Sequence, residues 1–379
     1  MLQVLSRPEP GPARVAGMSE STRVAGMLEA VREAAARDLR PVVAKVDAEG
    51  FYPEAALRAF GAAGAYRSHL PEGDRADLWG AIQASAAAGE HCLSTAFCMW
   101  CQDALAWYLG CSDNAGLRNG LGREVAAGTV LGGTGLSNPM KTFFGIEQIR
   151  LKGERVAGGY RVTGALPWVS NLGDGHCFAI VFARPEGRYA MAIVRAGQEG
   201  VSLVDGGRFL ALDGSGTYGV QLRNVFVPDE DLLADPIDGY LKRIRAGFVL
   251  MQTGMGIGVV RACIALMREV ERPLGHVNRY LDVQPDDVAG QLAALEAEVA
   301  ALSATPFDPD PAYWRRVVTA RLAASELAVA AAHHAMLHCG ARGYVQTGAA
   351  QRRLREAYFV AIVTPAVKQL KKMLADMDA

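Results

Sequence analysis

Trp168 and Ser170 are the residues of this 379-residue chain whose types and spacing best suit chemistry. They stand in Gly164-Ala165-Leu166-Pro167-Trp168-Val169-Ser170-Asn171, directly after the strand-like run Gly159-Tyr160-Arg161-Val162-Thr163. Alternate residues of a strand share a face, so indole and hydroxyl would look the same way. An indole covers a flat ring by offset stacking, and a hydroxyl reaches a ring nitrogen. The pair therefore suits a flavin. The same pattern also reads as a half-buried hairpin strand in which Trp168 is only core.

Other reactive groups carry less. Cys98-Met99-Trp100-Cys101 has the form C-x-x-C, but it lies in an apolar run with no second pair at zinc spacing, so neither metal nor redox chemistry is expected there. The seven cysteines are odd in number and mostly sit in apolar runs, which suits buried thiols in a reducing compartment and a cytoplasmic protein. Asp103 and Asp282 are carboxylates that could serve as a general base from an unexpected position, although both read more readily as solvated charges on helix faces. His333, His334 and His338 could move protons at neutral pH, although histidines in a helix are more often satisfied structural residues.

Lys and Arg number 39 against 40 Asp and Glu, a net charge of -1, so no basic excess points to nucleic acid or an anionic membrane. No run of eighteen uncharged apolar residues occurs, and no membrane span is expected. The length exceeds what one hydrophobic core usually serves, which implies two or three domains. Residues 1–20 read as a flexible lead-in. Residues 21–128 show helical periodicity, with helices expected at 53–62, 74–89 and 94–109. Residues 129–236 switch to short alternating runs separated by glycine-rich breaks and closed at Val227-Pro228-Asp229, as in a small sandwich or barrel. Residues 237–379 return to helix, at 248–271, 288–303, 311–339 and 350–373, the last broken or kinked at Pro365.

This order resembles the acyl-CoA dehydrogenase superfamily: an N-terminal helical domain, a middle β domain and a C-terminal four-helix bundle. The resemblance spans roughly residues 21–374, and three local patterns carry it. Val162-Thr163-Gly164 leading to Trp168-Val169-Ser170-Asn171 is similar to the family strand that ends against the flavin. Phe209 to Ser215 with Leu222 to Pro228 resembles its final β hairpin. Cys339-Gly340-Ala341-Arg342-Gly343-Tyr344, followed by Arg355-Glu356-Ala357, resembles its glycine turn and Arg-Asp-Ala sequence.

The resemblance implies FAD, with the Trp168-Val169-Ser170 stretch against the isoalloxazine, Trp168 beside the ring and Ser170 near its N5. It puts Thr134 at the pyrimidine edge and Ser137 near pyrophosphate or pantetheine. Gly340 and Gly343 would let backbone approach the ADP portion of FAD from a neighbouring subunit, which implies a homodimer or homotetramer. A small-molecule substrate such as an acyl-CoA, and an electron-transfer flavoprotein or a flavin reductase as partner, follow from the same likeness.

The chain departs from the family where the catalytic base should stand. Most members carry a Glu nine residues after the Arg of Arg-Asp-Ala; here that position is Thr364, followed by Pro365-Ala366. The alternative place, at Arg245-Ala246-Gly247-Phe248, also lacks a carboxylate. Thr134-Gly135-Leu136 replaces the family's Thr-Glu-Pro, residues 136–144 carry extra length, and either Arg272 or Arg279 could be the pyrophosphate arginine. No catalytic residue is assigned. The first reading is an FAD-dependent oxidoreductase acting on the CH-CH group of an acyl thioester, with a non-standard or missing base. A two-component monooxygenase using reduced FMN or FAD, and a catalytically silent acyl-binding member, are the alternatives.

Overall fold

The structure is a computed structural model that describes residues 20–185 and 187–379. The expected lead-in lies outside the described residues up to residue 19, and Glu20 already begins a helix.

Glycine ends helices early in the chain: Gly50 closes Val43–Glu49 and Gly128 closes Leu121–Ala127, both in the left-handed region that glycine enters without strain. The helices Trp79–Gly89 and Leu93–Cys111 are apolar on nearly all sides and almost wholly buried, as such a pattern requires. The first starts later than residue 74 because Glu72 and Arg75 pair in a tight turn and the Asp77 carboxylate takes the Trp79 amide at 2.9 Å.

Eight strands follow: β1 Gly132–Thr134, β2 Lys152–Val156, β3 Gly159–Val169, β4 Cys177–Ala183, β5 Tyr189–Arg195, β6 Val201–Asp205, β7 Tyr218–Pro228 and β8 Leu232–Ala234. They form one mixed sheet in the order β6-β7-β3-β2-β4-β5-β8, with β1 parallel to β4. The expected sandwich or barrel takes the form of this continuous sheet folded over its own core. Tyr160, Val162 and Leu166 of β3 meet Phe178, Ile180 and Phe182 of β4 inside the fold. The opposite face of β4 and β5 (Cys177, Ala179, Met191, Ile193) joins the helices, so β4 is apolar along its whole length.

Helical structure resumes at Asp238–Leu250, Thr253–Glu269, Glu271–Asn278, Pro285–Ser303, Pro311–Cys339, Ala349–Ile362 and Val367–Asp378. The single helix expected at 248–271 is thus two, one of which begins at Asp238. Their close packing explains the glycines: a Cβ on Gly254 or Gly258 would fall 2.6 Å from a carbonyl of Trp79–Gly89. By length and composition the stretch Asp238–Glu269 could cross a membrane, but 83% of its apolar window is buried inside the protein, where it builds the core. That main core joins early helices, sheet and late helices continuously across residues 128 and 236.

Candidate active site

β3 delivers Trp168 and Ser170 through an irregularity rather than strict alternation. Its pairing with β7 shifts between Leu166 and Val169, so both of those side chains enter the core although they are three apart. Trp168 is left 57% exposed. Val169, expected beside a cofactor, has its side chain in the sheet core and offers only backbone outward.

Ser170 is held by its neighbours. Asn171 adopts φ 61°, and its buried side chain donates to the Gly132 carbonyl at 2.6 Å and accepts from the Tyr52 hydroxyl at 2.5 Å. Gly133 lets β1 lie against the Ser170 carbonyl, since a Cβ there would come within 2.0 Å of it. The Ser170 hydroxyl meets Thr217 Oγ1 at 2.6 Å, Thr217 meets Ser215 Oγ at 2.7 Å, and Ser215 donates to the Leu212 carbonyl at 2.7 Å.

A cavity of about 1370 Å³ opens beside this wall, and Thr134, Ser137, Trp168 and Ser170 all line it. Thr134 Oγ1 sits 3.1 Å from the Tyr108 hydroxyl, whose pKa burial pushes well up. Ser137, at the start of the short helix Ser137–Phe143, meets Thr364 Oγ1 at 3.0 Å. Thr364 also lines the cavity, and Gln252 fixes its carbonyl by donating to it at 2.9 Å. Gln252 in turn accepts from the fully buried Arg321 at 2.7 Å. Burial pulls that guanidinium down to about 9, which leaves it charged at neutral pH. Apolar side chains from both helical segments, Phe97, Trp100, Phe248 and Phe359 among them, complete the walls.

Among the described residues two carboxylates, Glu147 and Glu326, line the cavity, and both are engaged. Burial would raise Glu147, but the Asn138 amide with Lys141 and Arg150 outweighs it and holds the carboxyl below its usual range. Glu326 pairs with Lys371 at 2.7 Å and is half exposed. Thr364, where the resemblance puts the family's base, lines the cavity with these two carboxylates. Asp103 and Asp282 do not line the cavity. Asp103 corrects the expectation of a solvated charge: it is fully buried, because its helix is enclosed on every side, and it faces His69 with Oδ1 3.6 Å from Nδ1.

His333 and His334 do line the cavity, their rings 5.3 Å apart. Burial, then His333 and His338, lower the His334 pKa, so His334 is neutral at pH 7. His338 is a structural residue, buried with Nε2 2.9 Å from the Val283 carbonyl. Gly340 and Gly343 lie beyond the end of Pro311–Cys339, away from this cavity, with Gly340 at φ 56°. Arg272 is exposed and Arg279 stacks over Tyr280 at 4.9 Å; neither reaches the cavity. Cys101 lines the cavity while Cys98 contacts the Ser215 carbonyl at 3.4 Å, and burial raises both thiols far above their usual range.

Thr217, Ser215 and Asn171 are the members that sequence reasoning did not single out. Asn171 closed the quoted strand motif, Asp213-Gly214-Ser215-Gly216 read as a glycine-rich break, and Thr217 lay just beyond it; only the register that sets Val169 opposite Tyr218 brings Thr217 to Ser170.

No protein-family profile matches the chain. It is 23% identical over 360 residues to a probable acyl-CoA dehydrogenase, YngJ, of Bacillus subtilis (strain 168), covering 88% of this chain and 91% of that one. Butyryl-CoA dehydrogenase from Megasphaera elsdenii superposes with a TM-score of 0.82 at 16% identity over 93% of this chain and 97% of its own. The chain shares the acyl-CoA dehydrogenase fold. PigA in its FAD complex has the same architecture, with a TM-score of 0.79 at 12% identity over 95% of this chain and 98% of its own. Within this superfamily fold, the Arg355-Glu356-Ala357 stretch ties the C-terminal helices to the N-terminal ones. Glu356, 2% exposed, accepts from the Leu93 amide at 3.1 Å and from Arg353 at 2.7 Å, and Arg355 reaches Asp47 at 2.6 Å.

Proposed function

We propose that this chain is an FAD-dependent oxidoreductase that acts on an acyl thioester or a similar activated substrate without the superfamily's carboxylate base. One observation carries the reading: a half-exposed indole, Trp168, and the Ser170 hydroxyl share one wall of a large, mostly apolar cavity. The residues present fit a flavin. The volume of about 1370 Å³ exceeds the range of about 300–1,000 Å³ usual for one small ligand, leaving room for a ring and a substrate together. Hydroxyls of Thr134, Ser137 and Ser170 supply neutral hydrogen-bonding partners for a polar ring edge and a phosphate-bearing tail. A bound flavin would supply hydride or oxygen chemistry; the protein's part is to stack, orient and exclude water.

Abstraction of an α-proton needs a base within hydrogen-bond reach. Glu147 is held by two cations and an amide, Glu326 is paired at the rim, and Thr364 has no basicity at neutral pH. This favours a second reading, a monooxygenase supplied with reduced flavin by a separate reductase, in which the neutral His334 beside His333 moves protons. Gly340 and Gly343 serve the ADP portion of FAD held by a second copy, and the protein works as a homodimer or homotetramer in the cytoplasm.

An absorbance spectrum separates the readings. Protein that carries FAD and bleaches anaerobically with a series of saturated acyl-CoA thioesters supports dehydrogenation. Bleaching with none of them, together with oxygen-dependent product formation when a flavin reductase is added, supports the second reading. Absence of flavin binding in either redox state refutes both.

A further inference from the structure

The protons of the three-hydroxyl chain at the cavity wall are fixed by its far end. The Leu212 carbonyl can only accept, so at 2.7 Å the single Ser215 hydroxyl proton is committed to it. Ser215 then has only lone pairs for Thr217, also 2.7 Å away, and Thr217 must be the donor in that pair. The Thr217 proton being spent, the 2.6 Å contact with Ser170 takes its hydrogen from Ser170. Any other arrangement sets two oxygens face to face at these distances with no hydrogen between them.

Ser170 therefore presents lone pairs alone to the cavity. The anchor is rigid, since Ser215 is buried, its amide also donates to Leu212 at 3.0 Å, and its carbonyl accepts from the Asn171 amide at 2.9 Å. The chain returns on itself: the strand that carries Ser170 continues into the residue that holds Ser215.

We propose that this relay makes Ser170 an obligate hydrogen-bond acceptor and that the site consequently prefers reduced to oxidised flavin. The inference rests on the flavin reading above and on Ser170 meeting N5. Oxidised N5 carries a lone pair and opposes the Ser170 oxygen; reduced N5 carries a hydrogen and completes the bond. The preference belongs to the protein's own hydrogen-bond order, and residues two hydroxyls away control it.

The test is a pair of binding isotherms, for oxidised FAD and for FAD reduced anaerobically, read by quenching of protein fluorescence. Wild-type protein should bind the reduced form more tightly. Thr217→Val frees the Ser170 proton to turn toward the cavity. Ser215→Ala lets Thr217 donate to Ser170 instead, with the same consequence. Each should move the ratio of the two dissociation constants about fivefold toward the oxidised form, the scale of one hydrogen bond. Thr217→Ser keeps the relay and should keep the ratio, which separates the effect from loss of packing. Tighter binding of oxidised FAD by the wild type, or ratios in both Thr217→Val and Ser215→Ala equal to wild type, would overturn the proposal while leaving flavin binding intact. No binding of either form would remove the flavin reading and this inference together.

Discussion

Single residues in this chain owe their behaviour to enclosure. Asp103 and His69 form a pair whose facing atoms, Oδ1 and Nδ1, have no other partner, while His69 Nε2 lies 3.0 Å from the Asp103 carbonyl. Burial lowers the His69 pKa from 6.5 to about 4 and raises that of Asp103 well above 3.8. The two shifts act in opposite senses: the folded His69 stays neutral down to about pH 4 while the unfolded histidine charges below 6.5, which alone makes stability rise with pH across that window, whereas the raised Asp103 carboxyl holds its proton in the fold above its usual range and offsets that rise. Urea denaturation of wild type and Asp103→Asn between pH 4 and 6.5 checks this: the variant should gain stability with rising pH more steeply than wild type, and parallel profiles would refute it. Asn171 makes a second residue-scale case. Asn171→Ala removes three side-chain contacts from a position at φ 61° and should cost about 2–3 kcal/mol, again by urea denaturation.

At the scale of elements, the helix Ala349–Ile362 is pinned to the start of Leu93–Cys111 by a buried ion pair that also caps a helix. Glu356→Ala leaves the buried Arg353 with only the Gly89 and Glu90 carbonyls and no carboxylate, and orphans the Leu93 amide, so a loss of about 3–5 kcal/mol should appear in thermal or chemical unfolding; a loss below about 1 kcal/mol would mean that the pair is not structural. The helix Pro311–Cys339 was legible in the sequence to the residue, because its ends are local chemistry: Asp310 caps the Ala312 amide at 2.8 Å, Pro311 opens the first turn and Gly340 ends the last at positive φ. The break at Pro365 was legible for the same reason. Strand irregularity was not, since the shift that sends Leu166 and Val169 into one core depends on pairing with residues about fifty positions later. The Ser170-Thr217-Ser215 relay hides behind that same pairing. Asp103 hides differently: a lone charge on a helix gives no sign of how completely its neighbours will cover it.

For the whole molecule, the described residues gather into a main core and two smaller ones, and the cavity draws walls from early helices, sheet and late helices. Helical and alternating periodicities revealed the order of helices, sheet and helices, whereas the common core that joins them arises only from packing. Exposed apolar side chains gather near the glycine turn: Val277, Tyr280, Leu337, Tyr344 and Val345, around the contact of Asn278 with the His338 carbonyl at 3.0 Å. A second copy of the chain is the partner proposed for this patch. Sedimentation velocity should show a dimer or tetramer that Leu337→Asp with Tyr344→Asp converts to monomer, with an unchanged far-ultraviolet spectrum; an unaltered sedimentation coefficient would place the interface elsewhere. The proposed flavin site depends on Trp168 as its wall. Its most direct test is the FAD isotherm of wild type against Trp168→Ala, in the redox state that wild type binds more tightly. Loss of the stacked indole should weaken binding about tenfold or more without changing the unfolding midpoint. Equal affinity in the two proteins would contradict the account.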